Sequence, residues 1–193
     1  MTQTVKYEFR EHLIHKQAKA EAAMLKEFAQ GEYTMEAPLI KHNPYFVNDL
    51  AAVMLFRTEE ETAITVRIVG KTKEADFYHT FPKAKEHIIP IVGLYNNYEN
   101  KVEVYPYQKY SQRVVHTIQT PDVPEAKLVE SMDTTPEYMQ DNVMFLCPAS
   151  VHLAIAVDYA GDVRLNFNVP LVWDIKRIPN GNILLGSERL VNM

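Results

Sequence analysis

One cysteine, Cys147, stands in 193 residues, so no disulfide can form within the chain and nothing calls for an oxidising compartment. Glycine is scarce as well: the six present are unclustered, which excludes a glycine-rich phosphate-binding loop. Positive charge is in deficit, 20 Lys and Arg against 25 Asp and Glu, for a net charge of −5. No basic cluster is denser than Lys71/Lys73 or Lys83/Lys85, so nucleic acid and anionic membrane surfaces are not expected partners. No apolar run approaches the roughly 18 residues of a membrane-spanning helix, so no membrane span is expected. Residues 1–10 lack the apolar stretch of a signal peptide. With Met1 as the native start, the default expectation is a cytoplasmic protein.

What is present suffices for a real core: 47% of residues are apolar and 23% charged, and the length suits one large or two small domains. A helix is predicted over residues 7–30. Its apolar stripe is Ile14, Ala18, Ala22, Leu25 and Ala29, flanked by Phe28, with Gly31 as the stop. Alanines make that stripe thin, so the helix is expected to pack on a larger body. From Thr34 the period changes to two. Residues 50–57 form an almost continuous apolar run, which suits a strand covered on both sides. Residues 62–69 alternate, with Ile64, Val66 and Ile68 opposite Thr65 and Arg67. Further strands are predicted at 76–81, 87–92 and 101–105, with breaks at 71–74, 82–85 and 96–100, and 113–119 is either one more strand or an extended exit from the sandwich. Short strands with polar turns predict an antiparallel, immunoglobulin-like β-sandwich over 34–119.

Pro121, Pro124 and Pro136 then mark residues 120–140 as a stiff extended connector with little core. Beyond it, strand 143–146 precedes two hairpins. The first spans 151–168 and turns at Asp158-Tyr159-Ala160-Gly161-Asp162; the second spans 172–187 and turns at Pro179-Asn180-Gly181-Asn182. Four such strands make either one β-propeller blade or the outer half of one and the inner half of the next. A propeller closes with roughly 4–8 blades, so 141–193 reads as the incomplete start of one, and the chain as the opening of a longer protein. The expected division is helix 1–33, sandwich 34–119, connector 120–140 and first propeller strands 141–193. A mainly β protein follows, since helix and strands do not alternate.

The histidines are His12, His15, His42, His79, His87, His116 and His152. His12 and His15 lie one helical turn apart, but a third ligand is missing, and Glu11 and Lys16 point to an exposed face. His152 shares a strand face with Ala154, Ala156 and Asp158, where it either looks into a channel or packs at a turn. Cys147, between Phe145-Leu146 and Pro148, has the apolar surroundings of buried filler, not of a nucleophile. Ser150 and Ser187 lack a nucleophile-elbow context. Tyr95, Tyr98, Tyr105, Tyr107 and Tyr110 are either cross-strand packing at the sandwich edge or an aromatic platform for a sugar or protein. His42-Asn43-Pro44-Tyr45 reads as an extended lead into the sandwich, with Pro44 holding Asn43 out of the helical region. No catalytic, cofactor-binding or metal-ligating residue is assigned, and no cofactor is expected.

Taken together, Asn43-Pro44-Tyr45, residues 49–56, residues 87–95 and residues 100–104 resemble the N-terminal β-sandwich of the bacterial arylsulfate sulfotransferases. Residues 156–164 and 173–185 resemble the start of that family's six-bladed propeller. The resemblance implies sulfate transfer from an aryl sulfate to a phenol without a nucleotide. In the family a histidine nucleophile carries the sulfuryl group, and further histidines and an arginine stabilise its oxygens. Those residues line the propeller channel in blades beyond the matched region. None of the seven histidines here falls in a matching motif, so His152 and Arg164 take no catalytic role from position alone. Gram-negative members are exported; without a signal sequence or a cysteine pair, this chain fits a cytoplasmic or Gram-positive branch. The expectation is the N-terminal portion of such a transferase, inert by itself, with aryl sulfate and phenol as partners of the parent enzyme only. The rival is a binding or assembly module: a β-sandwich that binds protein or carbohydrate, or a homo-oligomer through the sandwich or the open blade edge.

Overall fold

The computed structural model describes residues 8–124, 129, 131–139, 143–147, 154–168, 172–178 and 183–187. Its central strand is β2 (Ala51–Ile68). β1 (Leu39–His42) pairs with the first half of β2, β4 (Glu99–Pro106) with the second, and β3 (Phe77–Val92) with both. β5 (Val114–Gln119) extends the sheet from β4, giving five antiparallel strands. The sequence predicted two strands where β2 runs and two where β3 runs. The polar stretches between them are bulges, not breaks. The β2–β3 register slips between Arg57 and Thr62, where Glu59, Glu60 and Glu61 stand exposed, and again between Thr62 and Ile64. Pro82 falls at the second slip on β3, an edge strand, where its missing N–H costs no ladder bond. Bulges bend a sheet, so Ala52, Met54 and Phe56 from one half of β2 and Ile64, Val66 and Ile68 from the other enter one core.

A second sheet packs on the first. β6 (Met144–Leu146), β7 (Ala154–Val157) and β8 (Val163–Phe167) form an antiparallel three-stranded sheet. Ile155, Val157 and Val163 join the same core as Leu50, Ile89, Ile91 and Val104. The fold is therefore mainly β: a helix, an antiparallel sandwich and further paired strands. The connector differs from expectation. Val123 is part of the core, Val129 and Met132 pack against it, and Met139 is buried. Prolines keep this segment extended, and the apolar residues between them still have a face to bury. The turn of the first hairpin is as predicted: Asp158 N–H donates to Asp162 O, Gly161 N–H donates to Asp158 O, and Gly161 sits at φ +84°. β9 (Val172–Arg177) and β10 (Ile183–Ser187) pair as a separate sheet, and the predicted turn 179–182 lies outside the described residues.

Helix α1 (Glu8–Gln30) explains the apolar run in β2. Val53 and Leu55 point away from the sandwich core and are buried with Leu39 under Met24 and Phe28 of the helix. The predicted helix stripe is the wrong one. Ala18, Ala22, Leu25 and Ala29 are exposed, while Leu13, Gln17, Ala20, Met24 and Phe28 face the body. Alanine buries little area, so an alanine stripe carries little weight against two large side chains one turn apart.

Candidate functional site

Two fully buried charged groups, Arg164 and Asp158, lie where β8 meets the sandwich. Val163 and Leu165 flank Arg164, and alternation along β8 sends Arg164 to the opposite side, where it is fully buried. Its Nε donates to Gly93 O at 2.8 Å; its Nη1 donates to Ala75 O, Tyr95 Oη and Asp158 Oδ2, each at 3.0 Å. The rings of Tyr95 and Phe77 lie 3.9 Å and 4.2 Å from the guanidinium carbon. Nη2 is buried without a hydrogen-bond partner. Gly93, at φ +102°, lets Phe77 come this close, because a Cβ there would stand 2.3 Å from the ring. Asp158 is held in turn by the N–H groups of Ala160 and Asp162. The hairpin turn is gripped from outside too: Lys71 pairs with Asp162 at 2.6 Å, and Thr72 and Tyr159 share a hydrogen bond. Burial pushes the Tyr95 phenol up to about 12, against the pull of Arg164, so it stays protonated at neutral pH. A paired cation and a protonated phenol leave no base or nucleophile here. This cluster is a latch.

A second polar seam follows along β8. Asn166 Oδ1 accepts from Asp49 N–H, and the side-chain amides of Asn166 and Asn168 donate to Asp49 Oδ2 at 3.3 and 2.5 Å. Asn43 completes it: its amide donates to Asp49 Oδ1 at 2.6 Å and its oxygen accepts from Val47 and Asn48 N–H. The extended conformation expected of Asn43 is not observed. It is in the left-handed region at φ +39°, which suits asparagine, whose side chain closes the turn.

On the outer face of the sheet, Arg67 bridges Asp76 (2.6 Å) and Glu103 (3.1 Å). Burial works to lower the Arg67 pKa, but the hydrogen bonds it donates to both carboxylates, with their charge, outweigh it and raise it above the ordinary value. Around this bridge Tyr78, Tyr107 and Tyr110 are exposed, while Tyr105 is buried edge-on against Tyr110. Tyr95 and Tyr98 pair edge-on likewise, beneath the Lys71 ammonium. Of the five tyrosines, Tyr95 with Tyr98 and Tyr105 with Tyr110 pack in pairs, while Tyr98, Tyr107 and Tyr110 remain exposed.

The five histidines whose side chains are described are not brought together. His15 is exposed; His42 Nε2 meets Asp49 O; His79 packs edge-on to Phe81; His116 Nε2 meets Met35 O. His87 is buried, stacked on Phe56 and hydrogen-bonded to Thr58 Oγ1, and burial lowers its pKa. Among the described residues no three His, Cys, Asp or Glu side chains gather as metal ligands. The His12 side chain, Ser150, His152 and the Ser187 side chain lie outside the described residues. Cys147 is half-buried, not buried. Sequence reasoning noted Arg164 but missed its latch. The only local signal was a charge between two apolar strand residues.

Residues 39–123 match the family model of the arylsulfotransferase Ig-like domain. No curated protein matches the chain.

Proposed function

We propose, from the match of residues 39–123 to the arylsulfotransferase Ig-like domain, that the chain is the N-terminal, supporting portion of an arylsulfate sulfotransferase. In this reading the parent enzyme moves a sulfuryl group from an aryl sulfate to a phenol by way of a histidine. That histidine attacks sulfur, the S–O bond to the first aryl group breaks, and the phenolate leaves with a proton; the acceptor phenol then takes the group. The residues carrying the chemistry belong to propeller blades beyond those matched here. In this reading residues 141–193 are the first propeller strands, and β8 ties the β6–β8 sheet to the Ig-like sheet.

The observation that carries the proposal is the family match, set beside histidines that each have separate structural surroundings. A site for sulfate transfer needs a nucleophile and cationic donors converging on one sulfur, and the most buried arginine, Arg164, is committed to Asp158, Tyr95 and two carbonyls. The test is incubation of the purified chain with an aryl sulfate donor and a phenol acceptor. No transfer above the uncatalysed rate is expected. Protein-dependent transfer would remove the inert-support reading.

One observation favours a second reading, a carbohydrate-binding sandwich: exposed Tyr78 and Tyr110 donate to Asp76 and Glu103, the two carboxylates of the Arg67 bridge, and Tyr107 is exposed three residues before Tyr110. A glycan-array screen decides it, since a hit abolished by Tyr107→Ala supports binding there and an empty array removes it.

A further inference from the structure

Two arginines that share no partner are held by consecutive residues. Ala75 O accepts from Arg164 of β8, and the Asp76 carboxylate accepts from Arg67 on the outer face of the sheet. Asp76 is buried and uses both of its oxygens. Oδ2 accepts from Arg67 Nε at 3.0 Å, Arg67 Nη2 at 2.6 Å and Tyr78 Oη at 3.2 Å. Oδ1 accepts from Gly70 N–H at 2.7 Å, which ties the start of the turn between β2 and β3 to its end. The turn is drawn tight there. A Cβ on Gly70 would stand 2.5 Å from the Ala75 carbonyl carbon, so Gly70 packs directly on the group that receives Arg164. The rest of the turn reaches the latch and its hairpin. Lys71 N–H donates to Tyr95 Oη, Lys71 Nζ pairs with Asp162, and Thr72 shares a hydrogen bond with Tyr159. One closed turn therefore presents a carbonyl, an ammonium and a hydroxyl to the hairpin, and the carboxylate that closes it faces Arg67.

We propose that Arg67 is a positioning residue for the hairpin: acting through Asp76 and the turn at residues 70–76, the outer-face bridge sets where Ala75 O, Lys71 and Thr72 meet the hairpin turn at residues 158–162. Arg67 is itself anchored, since its Nη1 donates to Glu103 of β4 at 3.1 Å. Without Arg67 the Asp76 carboxylate is buried without its cation, and the turn it closes shifts to reach water or another donor. Ala75 O shifts with it, because a single peptide link joins the two residues. Linkage makes the effect reciprocal, so loss of Arg164 loosens Arg67 in turn. The coupling lies wholly within the described residues and does not rest on the transferase reading. Under that reading, it opens the seat of the first strands after the connector to control from a face they do not touch.

Hydrogen exchange of the arginine Nε–H protons, followed by NMR on the purified chain, tests this. The Arg164 Nε–H is fully buried, bonded to Gly93 O and set between the Tyr95 and Phe77 rings. It is expected to exchange slowly and to resonate away from the position of a free arginine. Arg67→Met is expected to speed that exchange by at least ~10-fold, while the amides of Val53 and Leu55, in the other half of β2, keep their protection. Arg67→Lys, which keeps the charge and a donor for Asp76, is expected to restore part of the lost protection. Arg164→Met is expected to speed exchange of the Arg67 Nε–H. An Arg164 proton indifferent to Arg67→Met overturns the proposal. So does an equal acceleration at Val53 and Leu55, which makes the effect a general loss of stability.

Discussion

Arg164 shows how a single residue fixes the hairpin to the sandwich. Replacing it with methionine keeps most of the volume but strands Asp158, which is also fully buried. Loss of one partner of a buried pair costs about 3–5 kcal/mol, so Arg164→Met is expected to lower the chemical-denaturation free energy by that order. Adding Asp158→Asn is expected to cost less than the two single changes summed, because the second removes a charge already unpaired. His87 sets a pH dependence. Its folded pKa lies below the ordinary value because burial disfavours the cation. The unfolded chain therefore binds the proton first, and stability contributed by neutral His87 is lost as pH falls below about 6.5 toward the folded value. Thermal unfolding across that window is expected to show a falling midpoint, flattened in His87→Phe. Neither role was legible in the sequence. A charge in a strand reads as solvent-facing, and the groups that bury Arg164 come from Ala75, Gly93 and Tyr95, far away along the chain.

Among the elements, strand locations were readable and their continuity was not. Polar residues at 58–61 and 82–85 signal a turn and a bulge in the same letters. Only pairing of β2 with β3 along their whole length decides between them. The helix was readable in extent but not in face. Met24 and Phe28 hold α1 to the sheet, and Arg57 sits over the Phe28 ring at 4.0 Å. Phe28→Ala is expected to cost about 3–5 kcal/mol in denaturant unfolding. Ala18→Ser, on the exposed flank, is expected to change stability by less than about 0.5 kcal/mol. Equal costs at the two positions would contradict the face seen here.

For the whole molecule, the most consequential contact is that of β7 and β8 with the Ig-like sheet. Ile155, Val157 and Val163 share a core with Leu50, Val104 and Val123, so strands on both sides of the proline-rich connector are covered by common packing. Denaturation of the described body is expected to be one cooperative transition, with tryptophan-independent probes at Tyr95 and at β7–β8 amides moving together. The family was legible because its sandwich carries recognisable runs, at 49–56 and 87–95. The shared core was not, since it depends on which sheet the hairpin meets. That arrangement gives the Ig-like portion a physical task, holding the first strands after the connector in a fixed place by the Arg164 latch and the Asp49 seam. Under the proposed function, the chemistry belongs to histidines elsewhere in a parent enzyme. Intact-mass spectrometry after exposure of the purified chain to excess aryl sulfate tests this most directly. The expected result is an unchanged mass, with no released phenol above the protein-free control; a gain of one sulfuryl group on any of the seven histidines would contradict it.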